Sequence, residues 1–288
     1  MLKRFCHRIA WIAFFFTLCV VVSAFATDLG ALRETTTDLL GIYQRTPVEQ
    51  MRRVLDDGAR AVDLVNLGTF FVVWVPPDYA AQERKRVLVV LHGSEGSAYA
   101  GVDAELEYAK KHRYILLSVQ WWLGEPEAYL PALETYAVIE LALRYASEAY
   151  SADPRRSALV AFSRGSAQSF EITYWDRALG NGYFALTIAH SGGIPIDHPP
   201  AFTQRLLAGD FGSAPLTGAR FFLYCGMKDE EWGIAQCEQM GNAERIVTAY
   251  GGIIERLIVD PEGSHQGYRR NPAWHEAGIE AFLRLTVD

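Results

Sequence analysis

Residues 158–170 read ALVAFSRGSAQSF, and their order decides what kind of fold this chain builds. Ala158–Phe162 form an apolar run of strand length, and small, helix-compatible residues follow Arg164, so Ser163 stands at a strand-to-helix corner. A strand apolar on both faces belongs inside a sheet that is covered on both sides. A serine at such a corner gains twice. The sharp turn exposes its hydroxyl, and the helix start behind it offers free N–H groups and the positive end of a dipole to a developing oxyanion. The corner needs small residues two positions to either side, here Ala161 and Gly165, in the pattern A-x-S-x-G. The plainer reading is a serine that caps the helix.

Outward from this corner the same alternation repeats. Apolar runs of strand length occur at 69–75 (TFFVVWV), 86–92 (RVLVVLH), 114–120 (YILLSVQ), 183–190 (YFALTIAH), 220–225 (RFFLYC) and 256–259 (RLIV). Between and after them, residues 104–112, 130–151, 165–179, 234–251 and 272–287 carry helical spacing. The pattern predicts an α/β protein with a mostly parallel central sheet and helices on both faces. The Gly- and Pro-rich stretch 192–218 is too small for a second domain and is expected to shape a pocket from above the sheet. Residues 27–68, helical in spacing over much of their length, are read as an N-terminal helical extension, and residues 69–288 as the catalytic domain.

The first 26 residues have a basic start (MLKRFCHR), an apolar run (IAWIAFFFTLCVVV) and the small-residue end SAFA, which predicts a signal peptide cut after Ala26. The run is short of the roughly 20 residues needed to span a bilayer. Cleavage predicts a secreted or periplasmic protein with no membrane span. It removes Lys3, Arg4 and Arg8 and no acid, which moves the formal charge from −7 to −10. Such a surface has no electrostatic grip on phosphates, so nucleic acid is not expected as a partner. Cys6 and Cys19 leave with the signal. Cys225 and Cys237 stay, either as a disulfide suited to an oxidising compartment or as two buried thiols.

Four motifs in order, over about Phe70 to the C-terminus, resemble the α/β-hydrolase superfamily. The corner looks like its nucleophile elbow, with Ala161 where the first glycine usually stands. The superfamily runs serine, acid, histidine on loops at the ends of successive strands, and here RFFLYC is followed by GMKDEEW and RLIV by DPEGSHQGY. The resemblance implies Ser163 as nucleophile, His265 as its base and Asp229 as the carboxylate that orients the imidazole. Glu230 and Glu231 adjoin Asp229, but the Gly226-x-x-Asp229 spacing is the one that resembles the acid loop. Asp260 reads as a turn residue, His190 and His275 as core or rim groups, and Ser191 lacks an elbow because GGIP, not a helix, follows it. The stretch VLVVLHGSEGSA resembles the H-G-x oxyanion loop, which implies the backbone amides of Ser94 and Arg164 as oxyanion donors, with Gly93 permitting the turn and His92 holding it.

Trp121, Trp122, Trp232, Tyr99 and Tyr268 lie on or near these loops and are candidate substrate-binding aromatics, suited to an apolar or aromatic acyl group or a sugar face. Packing is the alternative for each. The arrangement, with no large cap, is similar to secreted esterases such as polyhydroxybutyrate depolymerases and feruloyl esterases. It implies hydrolysis of small-molecule or polymeric carboxylic esters through an acyl-enzyme, without metal or organic cofactor. A peptidase or amidase with the same triad, and a non-catalytic binding protein on the same scaffold, are the other readings.

Overall fold

In the computed structural model the chain divides into two units, residues 1–33 and 34–288. The structure describes residues 33–35, 48–83, 85–124, 127–230 and 235–287. The expected signal segment, much of the N-terminal extension, Glu231 and Trp232 lie outside the described residues.

The strands are β1 (Arg33–Thr35), β2 (Arg60–Leu64), β3 (Thr69–Trp74), β4 (Val87–Leu91), β5 (Ile115–Val119), β6 (Ser157–Phe162), β7 (Phe184–His190), β8 (Arg220–Gly226) and β9 (Ile253–Asp260). They form one sheet in the order β1-β2-β3-β5-β4-β6-β7-β8-β9. From β5 to β9 every neighbouring pair is parallel, while β3 is antiparallel to both β2 and β5. Every residue of β3, β4, β5 and β6 is buried, which is why these segments read as unbroken apolar runs.

Helices cover both faces. Val72, Leu88, Leu116, Val160, Ile188 and Phe222 on one face share a core with α1 (Val48–Asp56), α2 (Ala98–His112) and, through Ile279 and Phe282, α8 (Pro272–Leu285), which follows the one-turn α7 (Gly267–Arg270). On the other face Phe71 meets Tyr145 of α3 (Ala132–Tyr150) edge-on at 5.5 Å, and Phe221 stacks on Phe170 of α4 (Arg164–Ala178) at 5.6 Å. The helix ends follow local chemistry. Ser97 Oγ accepts from the Ala100 amide at 3.1 Å to cap α2, and Asn271 caps α8 with Pro272 in its first turn.

One expectation is corrected. Residues 60–64, read as part of the helical extension, are a strand paired antiparallel with β3, from Arg60↔Val73 to Leu64↔Thr69. Of the described extension only α1 is an α-helix, and the sheet takes in residues before Thr69. The pairing satisfies backbone groups of β3 that would otherwise form an open edge. The 192–218 stretch holds α5 (Ala201–Leu207) and is seated on α4 by Phe202 and Phe211, whose rings lie 5.1 and 4.7 Å from that of Tyr174. Among the described residues it carries no inserted domain.

Candidate active site

At the end of β6 the backbone of Ser163 turns to φ 55° and ψ −123°, a strained conformation for a residue with a side chain, and α4 begins at Arg164. The Ser163 side chain does not cap α4. Its Oγ lies 3.0 Å from His265 Nε2, and His265 Nδ1 lies 3.0 and 2.9 Å from the two carboxylate oxygens of Asp229. Three residues far apart in sequence thus form one hydrogen-bonded chain.

Close packing over-determines the corner. The Ser163 amide donates to the His190 carbonyl at 3.0 Å. A Cβ at Gly165 would stand 2.5 Å from the His92 carbonyl oxygen, and one at Gly192 would stand 2.1 Å from that of Ser163. Ala161, by contrast, pairs with Leu91 and Ala189 inside the sheet, where a methyl group fits. The pattern A-x-S-x-G therefore keeps glycine where the helix crosses β4 and gives it up where the strand does not need it.

The acid and histidine loops are stitched together. Cys225 near the end of β8 is disulfide-bonded to Cys237 in α6 (Gln236–Ala249), which closes the connection that carries Asp229. The Met227 and Lys228 amides donate to the carbonyls of Asp260 and Gly263 at 2.8 and 2.9 Å. Asp260 accepts from the Tyr224 hydroxyl and the Trp274 indole, both at 3.0 Å, so it anchors the turn before His265. Glu230 is exposed, whereas the Asp229 side chain is fully buried and that of His265 is 18% exposed. The carboxylate is shielded, and the ring opens toward solvent.

The loop after β4 approaches from the other side of the switch in strand order, where a cleft forms in an open α/β sheet. His92 Nδ1 lies 2.8 Å from the Gly93 carbonyl, and the Trp121 indole N–H donates to the His92 carbonyl at 3.0 Å. Burial pushes His92 down to about 4, and the nearby charge of Arg269 acts in the same direction, so the ring is a neutral brace. Ser94, Ser163, Arg164 and His265 line one cleft of about 680 Å³. Amides of the loop and of the helix start are donors suited to an oxygen that gains negative charge, beside a hydroxyl whose proton an imidazole can accept.

The aromatic candidates fare differently. Trp121 and Trp122 are 2% exposed, Tyr99 5% and Tyr268 0%, and none of them lines the cleft. Trp121 braces the loop from behind, its ring 5.5 Å from His92 and 4.7 Å from Tyr129. Trp122 receives the Gln120 side-chain amide on its carbonyl at 2.7 Å. Tyr99 packs on Phe70, and Tyr268 stacks on His190 at 4.5 Å. Following a strand into the site end of a sheet puts a side chain near the cleft, yet the layer just beneath the rim is core.

Residues that sequence reasoning missed take their place. Tyr129, Glu127, Gln236, Gln239 and Gln266 line the cleft, as does Ser191. The Arg164 guanidinium sits 4.2 Å from the Tyr129 ring centre and is held by both carboxylate oxygens of Glu127. No periodicity marks these positions, because they lie at loop and helix ends. His190 is fully buried, and desolvation holds it well below the ordinary histidine range. His275 pairs at 2.7 Å with Glu105, both of them buried. Among the described residues no cluster of His, Cys, Asp and Glu is arranged to hold a metal, and no helix is long and apolar enough to cross a membrane.

No family model matches the chain, and no curated protein matches it. Solved structures do. A fungal esterase from Rhizomucor miehei superposes with a TM-score of 0.61 at 15% identity, over 91% of this chain and 94% of its own. The esterase LipW from Mycobacterium marinum gives 0.59 at 15% identity, over 88% and 90%. A putative dienelactone hydrolase from Klebsiella pneumoniae subsp. pneumoniae gives 0.53 at 13%, over 76% and 93%. At these identities the likeness speaks for architecture, and with the strand order, the strained serine corner and the loops that converge on it, the chain has the α/β-hydrolase fold.

Proposed function

We propose that the protein is a serine hydrolase of carboxylic esters. The observation that carries this reading is the unbroken chain Ser163 Oγ, His265, Asp229, with spacings of 2.9 to 3.0 Å, at the mouth of a cleft. Ser163 attacks the ester carbonyl while His265 Nε2 takes its proton. Buried Asp229 holds Nδ1–H, fixes the tautomer and stabilises the imidazolium that forms. The oxyanion is received by the amides of Ser94 and Arg164, a type of contact whose loss typically costs about 3 to 4 kcal/mol of barrier. His265 then protonates the leaving alcohol, and water, activated by the same ring, releases the acid from Ser163. That several structural neighbours are esterases supports the ester as the bond cleaved.

Export follows from the leader pattern and is supported by the Cys225–Cys237 disulfide, a bond that persists outside the reducing cytosol. The mature chain then begins at Thr27. Of the aromatic candidates, Trp121, Trp122, Tyr99 and Tyr268 are buried away from the cleft, and Trp232 lies outside the described residues, so an apolar or aromatic acyl group has no support from the first four.

The test is labelling with a fluorophosphonate followed by peptide mapping. The adduct is expected on Ser163 in the wild type and absent in Ser163→Ala, together with turnover of p-nitrophenyl acetate. An unlabelled wild type, or full turnover by Ser163→Ala, overturns the proposal.

A further inference from the structure

The cleft before Ser163 has an unusual wall. Ser191, at the end of β7, and Gln236, the first residue of α6, both face it, with Gln239 one helical turn beyond Gln236. Ser191 is 1% exposed and Gln236 7%, yet Ser191 Oγ and Gln236 Oε1 have no hydrogen-bond partner among the described residues. A buried polar atom without a partner is destabilising, so two in one cleft wall call for a reason.

Looseness is not that reason. The Ser191 amide donates to the Tyr224 carbonyl at 3.1 Å, and the Ile194 amide to the Gln239 carbonyl at 3.1 Å. A Cβ at Gly193 would stand 2.3 Å from the Gln239 backbone, and the Ser166 hydroxyl holds the Gly192 carbonyl. The disulfide fixes the start of α6 at the neighbouring Cys237. Ser191 itself is held at φ 57°, a strained value for a serine. The wall is rigid, and two of the residues that line the cleft carry unused hydrogen-bonding capacity, as in a pocket built to fix a polar ligand.

On the reading of the site as an ester hydrolase, we propose that Ser191 and Gln236, with Gln239, form the specificity subsite for a polyhydroxylated alcohol, so that the substrate is an ester of a sugar or similar polyol. Hydroxyl groups beside the reacting ester donate to Gln236 Oε1 and exchange hydrogen bonds with Ser191 Oγ. Phe162, Ala167 and the Tyr129 ring also line the cleft and are left for the acyl group. An apolar alcohol laid on the wall leaves both polar atoms dry and unpaired, which is how a polar site rejects an analogue that lacks the hydroxyls.

The test compares 6-O-acetylglucose with cyclohexylmethyl acetate, two acetates alike in size that differ in their hydroxyls. The wild type is expected to favour the sugar ester by roughly tenfold or more in kcat/KM. Gln236→Met and Ser191→Ala are each expected to lower that preference several-fold, mainly through KM for the sugar ester. Melting curves identify any variant that fails to fold, and the other variant then carries the test. Equal turnover of both acetates, a preference for the cyclohexyl ester, or a preference that survives both substitutions overturns the subsite. In any of these outcomes, fluorophosphonate labelling of Ser163 leaves the hydrolase reading standing. A wild type that is neither labelled nor active on any ester overturns both.

Discussion

Two of the histidine–carboxylate pairs among the described residues are of nearly the same length and differ in their surroundings, and only one of these two faces the cleft. His265 Nδ1 lies 2.9 Å from Asp229, and His275 Nε2 lies 2.7 Å from Glu105. In the first pair the second ring nitrogen faces Ser163 and the ring is partly open to the cleft. In the second pair the ring is buried, stacked 3.8 Å from Tyr108 and lying 5.1 Å from Tyr268, and it does not line the cleft. Burial alone would push the Glu105 carboxyl up, but the charge and hydrogen bond of His275, with Arg269, outweigh it and hold it below its ordinary value. The pairing of an imidazole with a carboxylate is therefore structural chemistry in one place and, on the proposed function, a prepared base in the other. Access and a third group make the difference.

The comparison breaks most sharply through the open pair. Asp229→Asn should leave the fold intact and cut kcat for p-nitrophenyl acetate by about 10⁴-fold, since the tautomer and the charge of the imidazolium both lose their support. A loss of less than tenfold would make Asp229 as structural as Glu105. Through the buried pair the expectation reverses. Glu105→Ala strands His275 and Arg269 and should cost about 3 to 5 kcal/mol in urea unfolding, while the folded fraction still labels at Ser163. Activity lost at unchanged stability would place the buried pair in the mechanism.

Acid should probe the same interior more gently. Neutral His92 titrates near 4 in the fold against an ordinary 6.5, so between these values the unfolded chain binds the extra proton. Stability is whole above about pH 6.5 and falls as pH drops toward 4, by up to about 3 kcal/mol from His92, with His190 acting in the same direction. Urea midpoints measured from pH 8 to pH 4 check this, and His92→Asn should flatten the fall. Reduction or Cys237→Ser frees the 12-residue separation that the disulfide closes and should cost about 3 kcal/mol, seen in the melting temperature. The smallest effect is expected at Ser97→Ala, about 1 kcal/mol for a lost helix cap, with kcat/KM moving little.

The seven apolar runs read as strands are all strands of the sheet, and the five helix candidates are all helices, because parallel strands buried on both faces and amphipathic helices write their environment into local composition. The strand at 60–64 escaped that reading. It is an edge-side strand of five residues in a half-polar segment, and its alternation is too short to stand out from the helix before it. Ser163, Asp229 and His265 were legible because each sits at a fixed offset from a strand end, where backbone geometry leaves little choice. The cleft lining was not, since the aromatics that follow β5 turn inward and the polar wall comes from ends of elements remote in sequence.

By itself the sequence determined the α/β class, the order along the chain of the seven strands from Thr69 onward and the three residues whose side chains meet. Those follow from local hydrophobic pattern and from the sharp turn that only small neighbours allow. Tertiary structure alone decided which histidine–carboxylate pair faces a nucleophile, that Cys225 and Cys237 lie close enough to bond, and that the cleft wall is polar. These depend on distances between segments that no neighbour-by-neighbour pattern encodes.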